Sequence, residues 1–181
     1  MSSARAADEA ADGEDPPSDG KADRERPAIL VIGLGTPILG DDGVGWYVAD
    51  GVEARLGAGR PGVRVERAAL GGLALMERLV GAHRAILIDA MDTGAAPIGT
   101  VTSLALEDVT VRPAGHLDSV HDAPLTTALA AGRALGAVLP AHVVVVAIEA
   151  RRIDIFDEHL SPAVAAAVPA AVDAVLLLLD A

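Results

Sequence analysis

The sequence predicts a single α/β domain of three layers: a twisted, mostly parallel sheet of about five strands with helices on both faces. Three observations carry that expectation. Apolar runs at residues 29–32, 85–88 and 143–148 are continuous rather than alternating, as in strands buried on both faces. Segments with apolar residues at helical spacing separate them. Each run leads into glycine or a carboxylate, where a strand gives way to a loop at the rim of the sheet.

In chain order, residues 1–26 are rich in Ala, Asp, Glu, Gly and Pro and show no apolar periodicity. They cannot bury enough surface to offset chain entropy and read as a disordered acidic tail, leaving 27–181 as the domain. After the first strand, Val44, Tyr47, Val48, Val52 and Leu56 mark a helix that Gly57 and Gly59 end. Trp46 and Tyr47 read as packing residues. Residues 63–69 alternate as an outer, half-exposed strand, Gly71 and Gly72 form a turn, and 73–80 a short helix. Residues 85–90 form the second buried strand.

Only ten residues, 90–99, connect that strand to the next, at 100–106. A parallel crossover needs a dozen or more, so this strand is expected to run antiparallel. Residues 107–121 read as a loop carrying His116 and His121, and Asp122-Ala123-Pro124 as a cap and first turn. A helix through Leu125, Ala128, Leu129 and Leu135 closes at Gly136, and 142–148 is the third buried strand. Ser161 and Pro162 open a last helix, which Pro169 is expected to kink or divide.

The formal charge of −12, with a single lysine, argues against a nucleic-acid surface. No cysteine is present, which excludes thiolate ligands and a cysteine nucleophile and suits the cytoplasm. The N-terminus lacks the basic-then-apolar layout of a signal peptide. Pro169 and Asp173 interrupt the apolar run at 163–179, which reads as a packed helix rather than a membrane span.

The first strand's exit is the most informative stretch. Residues 33–45 read Gly-Leu-Gly-Thr-Pro-Ile-Leu-Gly-Asp-Asp-Gly-Val-Gly. The glycine spacing matches neither a dinucleotide fingerprint nor a phosphate loop, and two carboxylates would repel phosphate. A cation site fits better. Asp42 follows the first strand, Asp89 tips a second, and His121 precedes a helix, which together form a plausible set of three divalent-metal ligands. Capping or loop hydrogen bonds also account for each residue taken alone, and His116 competes with His121 on the same loop. Glu149 also stands at a strand's carboxyl end. No G-x-S-x-G elbow or H-E-x-x-H helix is present. A small-molecule or nucleotide-binding protein using the glycine loop is a further reading, disfavoured by Asp41 and Asp42.

The blocks Val31 to Gly45, Ile88-Asp89-Ala90, residues 97–101, Ser119-Val120-His121 and residues 160–164 resemble the hydrogenase maturation endopeptidases over nearly the whole span 29–179. That resemblance implies a cytoplasmic peptidase domain that removes the C-terminal extension of a nickel–iron hydrogenase large-subunit precursor after nickel insertion. It implies catalytic and metal-contacting roles for Asp42, Asp89 and His121, and selects His121 over His116. The divalent ion would be nickel carried by the substrate. Gly33, Gly35, Asp41, Gly71 and Gly72 would line the cleft for the precursor's tail. The chain departs from the family where many members have Asp-Gly-Gly-Thr and this one reads Leu70-Gly71-Gly72-Leu73. A non-catalytic, metal-sensing module that binds the same precursor is the alternative. Neither nucleic acid nor membrane is an expected partner.

Overall fold

A computed structural model describes residues 27–109, 124–151, 153, 154 and 156–181. The expected tail at 1–26 and both loop histidines lie outside the described residues.

Five strands form one sheet in the order β2-β1-β3-β5-β4. They are β1 (Ile29–Leu34), β2 (Val63–Ala68), β3 (Arg84–Met91), β4 (Val101–Ala105) and β5 (His142–Glu149). β1, β2, β3 and β5 are parallel, and β4 pairs antiparallel with β5, Val101 opposite Ile148. The connection from β3 steps over the end of β5 and returns down its far side. So short a stride reaches the next strand only if that strand reverses, as the loop length predicts.

Helices α1 (Val44–Leu56) and α4 (Pro162–Asp180) cover one face of the sheet, and α2 (Gly72–Leu79) and α3 (Leu125–Ala134) the other. Alternate strand residues divide between the two cores. Ala85 and Leu87 of β3 pack with Leu75, Leu79 and Leu125 on the α2–α3 side. Ile86 and Ile88 pack with Val48, Val164 and Val175 on the other. Each large aliphatic side chain fully buried this way stabilises the fold by about 1.5–3 kcal/mol.

α4 is apolar and long enough to cross a membrane, with mean hydropathy 2.1 over an 18-residue window of its 19 residues. Here one face of it packs into the core, with 33% of that window buried. Val164, Ala167, Ala171, Val172, Val175 and Leu179 are buried against the sheet and α1. Gly51 of α1 lets Val172 approach so closely that a Cβ there would stand 2.6 Å from its side chain. Pro169 does not divide the helix, which is assigned without a break from Pro162 to Asp180. The residue lies on the exposed face, where its ring costs one backbone hydrogen bond and no packing.

Candidate functional site

β1 leads through α1 to β2 on one side, while β3 lies on β1's other side. The gap between the carboxyl ends of β1 and β3 is therefore a topological switch point, where open α/β sheets bind their ligands. Asp42 and Asp89 stand on its two sides. Asp42 lies in a 3-10 turn (Gly40–Gly43) that rests against β3. Asp89 is the sixth residue of β3 and wholly buried. By strand alternation Asp89 shares the face of Leu87 and Met91, the side that α2 and α3 cover.

The glycines of the first loop bring these parts together. A Cβ on Gly33 would collide with the Gly45 carbonyl, and one on Gly35 with that of Asp42. A Cβ on Gly45 would press on the Leu34 carbonyl and come within 2.6 Å of the Ile88 carbonyl oxygen. The start of α1 thus sits directly over the ends of β1 and β3. Gly35 also has a φ of 123°, which suits only glycine. What comes close to Gly33 and Gly35 is the chain's own backbone, and both residues are buried.

The adjacent carboxylates have different surroundings. The Thr36 N–H donates to Asp42 Oδ2 at 2.6 Å, which ties the turn's carboxylate back across the loop. Asp41 points elsewhere. Its Oδ1 accepts the Ser161 N–H at 2.6 Å and its Oδ2 the Ser161 hydroxyl at 2.9 Å. Asp41 therefore serves the first turn of α4 from another part of the chain, in place of a cap by Ser161's own side chain. Buried and engaged at both oxygens, it has the surroundings of a fastener and not those of a substrate contact.

Next to this fastener, Leu39 bridges Asp157, with Gly40 N–H donating to the Asp157 carbonyl at 2.7 Å and Asp157 N–H to that of Ile38. Gly71 and Gly72 begin α2 after β2, on the same rim and the same face as Asp89. Leu70 packs against the core of that face.

Glu149 ends β5 and is also buried. Its Oε1 accepts the N–H groups of Thr93 (3.1 Å) and Gly94 (2.8 Å), and its Oε2 the Thr93 hydroxyl at 2.6 Å. Sequence position alone placed it at the rim and could not reveal these partners, more than fifty residues away. Tyr47 differs from the packing role expected of it. It is 42% exposed, donates its hydroxyl to the Glu158 carbonyl at 3.2 Å, and walls an open groove of about 360 Å³ with His159, Leu160, Ala165 and Val168. That groove lies on the α1–α4 side, apart from the face of Asp89.

Carboxylate oxygens at the switch point suit a hard divalent cation. Among the described residues no three metal-ligating side chains gather into one group, and His121, the expected third ligand, is not among them.

A family model described as hydrogenase maturation protease matches residues 58–177. Solved structures agree in fold. The hydrogenase maturating endopeptidase HybD from E. coli is 26% identical, with a TM-score of 0.66 over 84% of this chain and 91% of that one. The hydrogenase 2 maturation peptidase from Thaumarchaeota archaeon SCGC_AB-539-E09 is also 26% identical, with a TM-score of 0.59 over 84% and 97%. The [NiFe] hydrogenase maturation protease HybD from Thermococcus kodakarensis, at 22% identity and a TM-score of 0.59 over 83% and 97%, shares the fold. No curated protein matches the chain significantly.

Proposed function

The chain belongs to the hydrogenase maturation protease family, whose members hydrolyse peptide bonds, and we propose that it is the cytoplasmic endopeptidase that trims the C-terminal extension of a nickel–iron hydrogenase large-subunit precursor. The observation that carries this reading is the placing of Asp42 and Asp89 on either side of the switch point between β1 and β3. In this reading the two carboxylates, both buried, would receive a divalent ion presented by a partner.

In this reading nickel is part of the substrate, already inserted in the precursor. Asp42 and Asp89 would contact it, with His121 from the segment ahead of α3 as the nitrogen ligand. Three protein ligands leave room for the precursor's own groups. Nickel held there would supply polarisation of a neighbouring carbonyl or water. The chain's share is to hold the scissile bond beside it, and orientation alone can account for much of a rate enhancement. The Thr36 N–H fixes the Asp42 carboxylate in advance, so its geometry needs little reorganisation when the precursor docks. Gly71 and Gly72, which begin α2 on Asp89's face and carry no side chain, would leave room for an extended peptide.

Mixing the protein with nickel-loaded precursor and weighing the product by mass spectrometry tests this. Loss of the C-terminal extension is expected, and its absence with the chain in which Asp42, Asp89 and His121 are all replaced by Ala. Unchanged processing by the triple variant overturns the metal-centred account. Complex formation without a change in precursor mass identifies a metal-sensing binding module instead.

A further inference from the structure

The chain between β5 and α4 returns to the turn that carries Asp42 and holds it at several points. Gly40 N–H donates to the Asp157 carbonyl at 2.7 Å, and Asp157 N–H to that of Ile38 at 3.1 Å. Further on, Ser161 donates to both oxygens of Asp41, at 2.6 and 2.9 Å. Between them the Glu158 carbonyl accepts the Tyr47 hydroxyl from α1. Residues 157–161 therefore grip the chain before Asp42, at 38, 40 and 41, and after it, at 47. The gripping segment is itself braced. His159 N–H donates to Asp157 Oδ1 at 2.9 Å, and Val164, in the first turn of α4, is wholly buried.

The turn has little of its own to fix it. So short a 3-10 element rests on one or two local bonds, and here the Asp42 N–H reaches the Leu39 carbonyl only at 3.3 Å. The bonds at Asp41 are shorter, end on a buried carboxylate and come from an element anchored in the core. Asp41 and Asp42 are joined by one planar peptide, so a shift of the first carries the second with it. The Thr36 bond sets the angle of the Asp42 side chain. The Ser161 bonds set where its backbone stands. A displacement of about 1 Å in a group that orients a reacting bond can cost on the order of 10²-fold in rate.

We infer that Asp41 is a positioning residue, which through its two bonds to Ser161 sets the place from which Asp42 meets the precursor's nickel. The inference rests on the proposed processing reaction and deepens it by naming the residue that fixes Asp42. Asp41 touches neither the scissile bond nor the ion. Its carboxylate works as a pair of coplanar acceptors, and its charge has no part in the reaction.

The test compares wild type, Asp41→Ala, Asp41→Asn, Ser161→Ala and Val175→Ala at a temperature where all are folded. Three readouts are taken: steady-state processing of nickel-loaded precursor, thermal melts, and hydrogen exchange of residues 36–43 in the free protein. Val175 is buried near the far end of α4 and is the control for lost stability alone. Asp41→Ala is expected to lower kcat about tenfold with KM within about twofold, and to speed exchange at 36–43. Val175→Ala is expected to melt lower while kcat and that exchange stay near wild type. Asp41→Asn is expected to recover most of the loss, since its oxygen still accepts the Ser161 N–H and its amide can donate to the Ser161 hydroxyl oxygen. If Asp41→Ala fails to fold, Ser161→Ala decides. It keeps the N–H bond, and its kcat is expected to fall about threefold. Wild-type kcat in Asp41→Ala or in Ser161→Ala overturns the inference, as does unchanged exchange in Asp41→Ala. So does an equal loss of kcat in Val175→Ala, or an Asp41→Asn protein as slow as Asp41→Ala, which would assign the effect to charge. A wild-type chain that leaves the precursor uncut overturns the processing reading itself, and this inference with it.

Discussion

Asp41 and Ser161 stand 120 residues apart and share two hydrogen bonds, from the Ser161 N–H to Oδ1 and from its hydroxyl to Oδ2. The pair joins the turn that carries Asp42 to the first turn of α4. Both bonds end on a buried carboxylate, the stronger kind. Asp41→Ala is expected to lower unfolding free energy by about 3 kcal/mol, and Ser161→Ala, which keeps the N–H bond, by about 1 kcal/mol. Urea denaturation of the two variants checks both values and their order.

Gly35→Ala is expected to abolish soluble expression or to cost roughly 3 kcal/mol. The new methyl group would occupy the space of the Asp42 carbonyl, at a φ of 123° that alanine avoids. A soluble variant melting within a few degrees of wild type would show that the turn can move away from β1.

Asp42→Asn separates charge from shape. The amide oxygen still accepts the Thr36 N–H, so the turn should keep its conformation. Processing of nickel-loaded precursor is expected to fall on the order of 10²-fold while the melting temperature stays near wild type. Asp89→Asn should match it in rate. A fully active Asp42→Asn would remove the carboxylate's charge from the mechanism.

Arg67 on β2 bonds to Glu53 and Asp50 of α1. Its pKa is raised, first by the hydrogen bond with Glu53; burial opposes the rise, and the hydrogen bond with Asp50 and the charges of both carboxylates add to it. A raised folded-state pKa gives stability that is complete below the unfolded value and is lost as pH rises through the folded one. Arg67 therefore adds no pH dependence to stability between pH 7 and 10. Arg67→Met is expected to cost less than about 1 kcal/mol, since both carboxylates are more than half exposed and screened by solvent. Denaturant melts at pH 7 and pH 10 should give the same difference.

The sheet was legible because its signals are local. Continuous apolar runs mark β1, β3 and β5, and the short stride after Asp89 forces β4 to reverse. The two adjacent carboxylates show where such reading stops. Asp41 and Asp42 have the same chemistry and neighbouring positions, and only Ser161, folded back from the far end of the chain, tells them apart. Glu149 was visible as a carboxylate at a strand end, while its work depends on Thr93 and Gly94, which no local pattern connects to it. Gly33 and Gly35 stand out in the sequence at the exit of the first strand. What approaches them is Gly45 and Asp42, and that follows from the packing of α1 over the strand ends. Tyr47 fits the helical spacing of its apolar neighbours but lies at the edge of their stripe, where it is half open to solvent.

The division of Asp42 and Asp89 between β1 and β3 also bears on how the protein comes into being. Asp42 and Asp89 lie 47 residues apart in the chain, and they share one rim only once β3 has paired with β1. No stretch of the polypeptide around either acid can assemble the pair alone. Any task that needs both acids at the rim therefore waits on the pairing of β1 with β3.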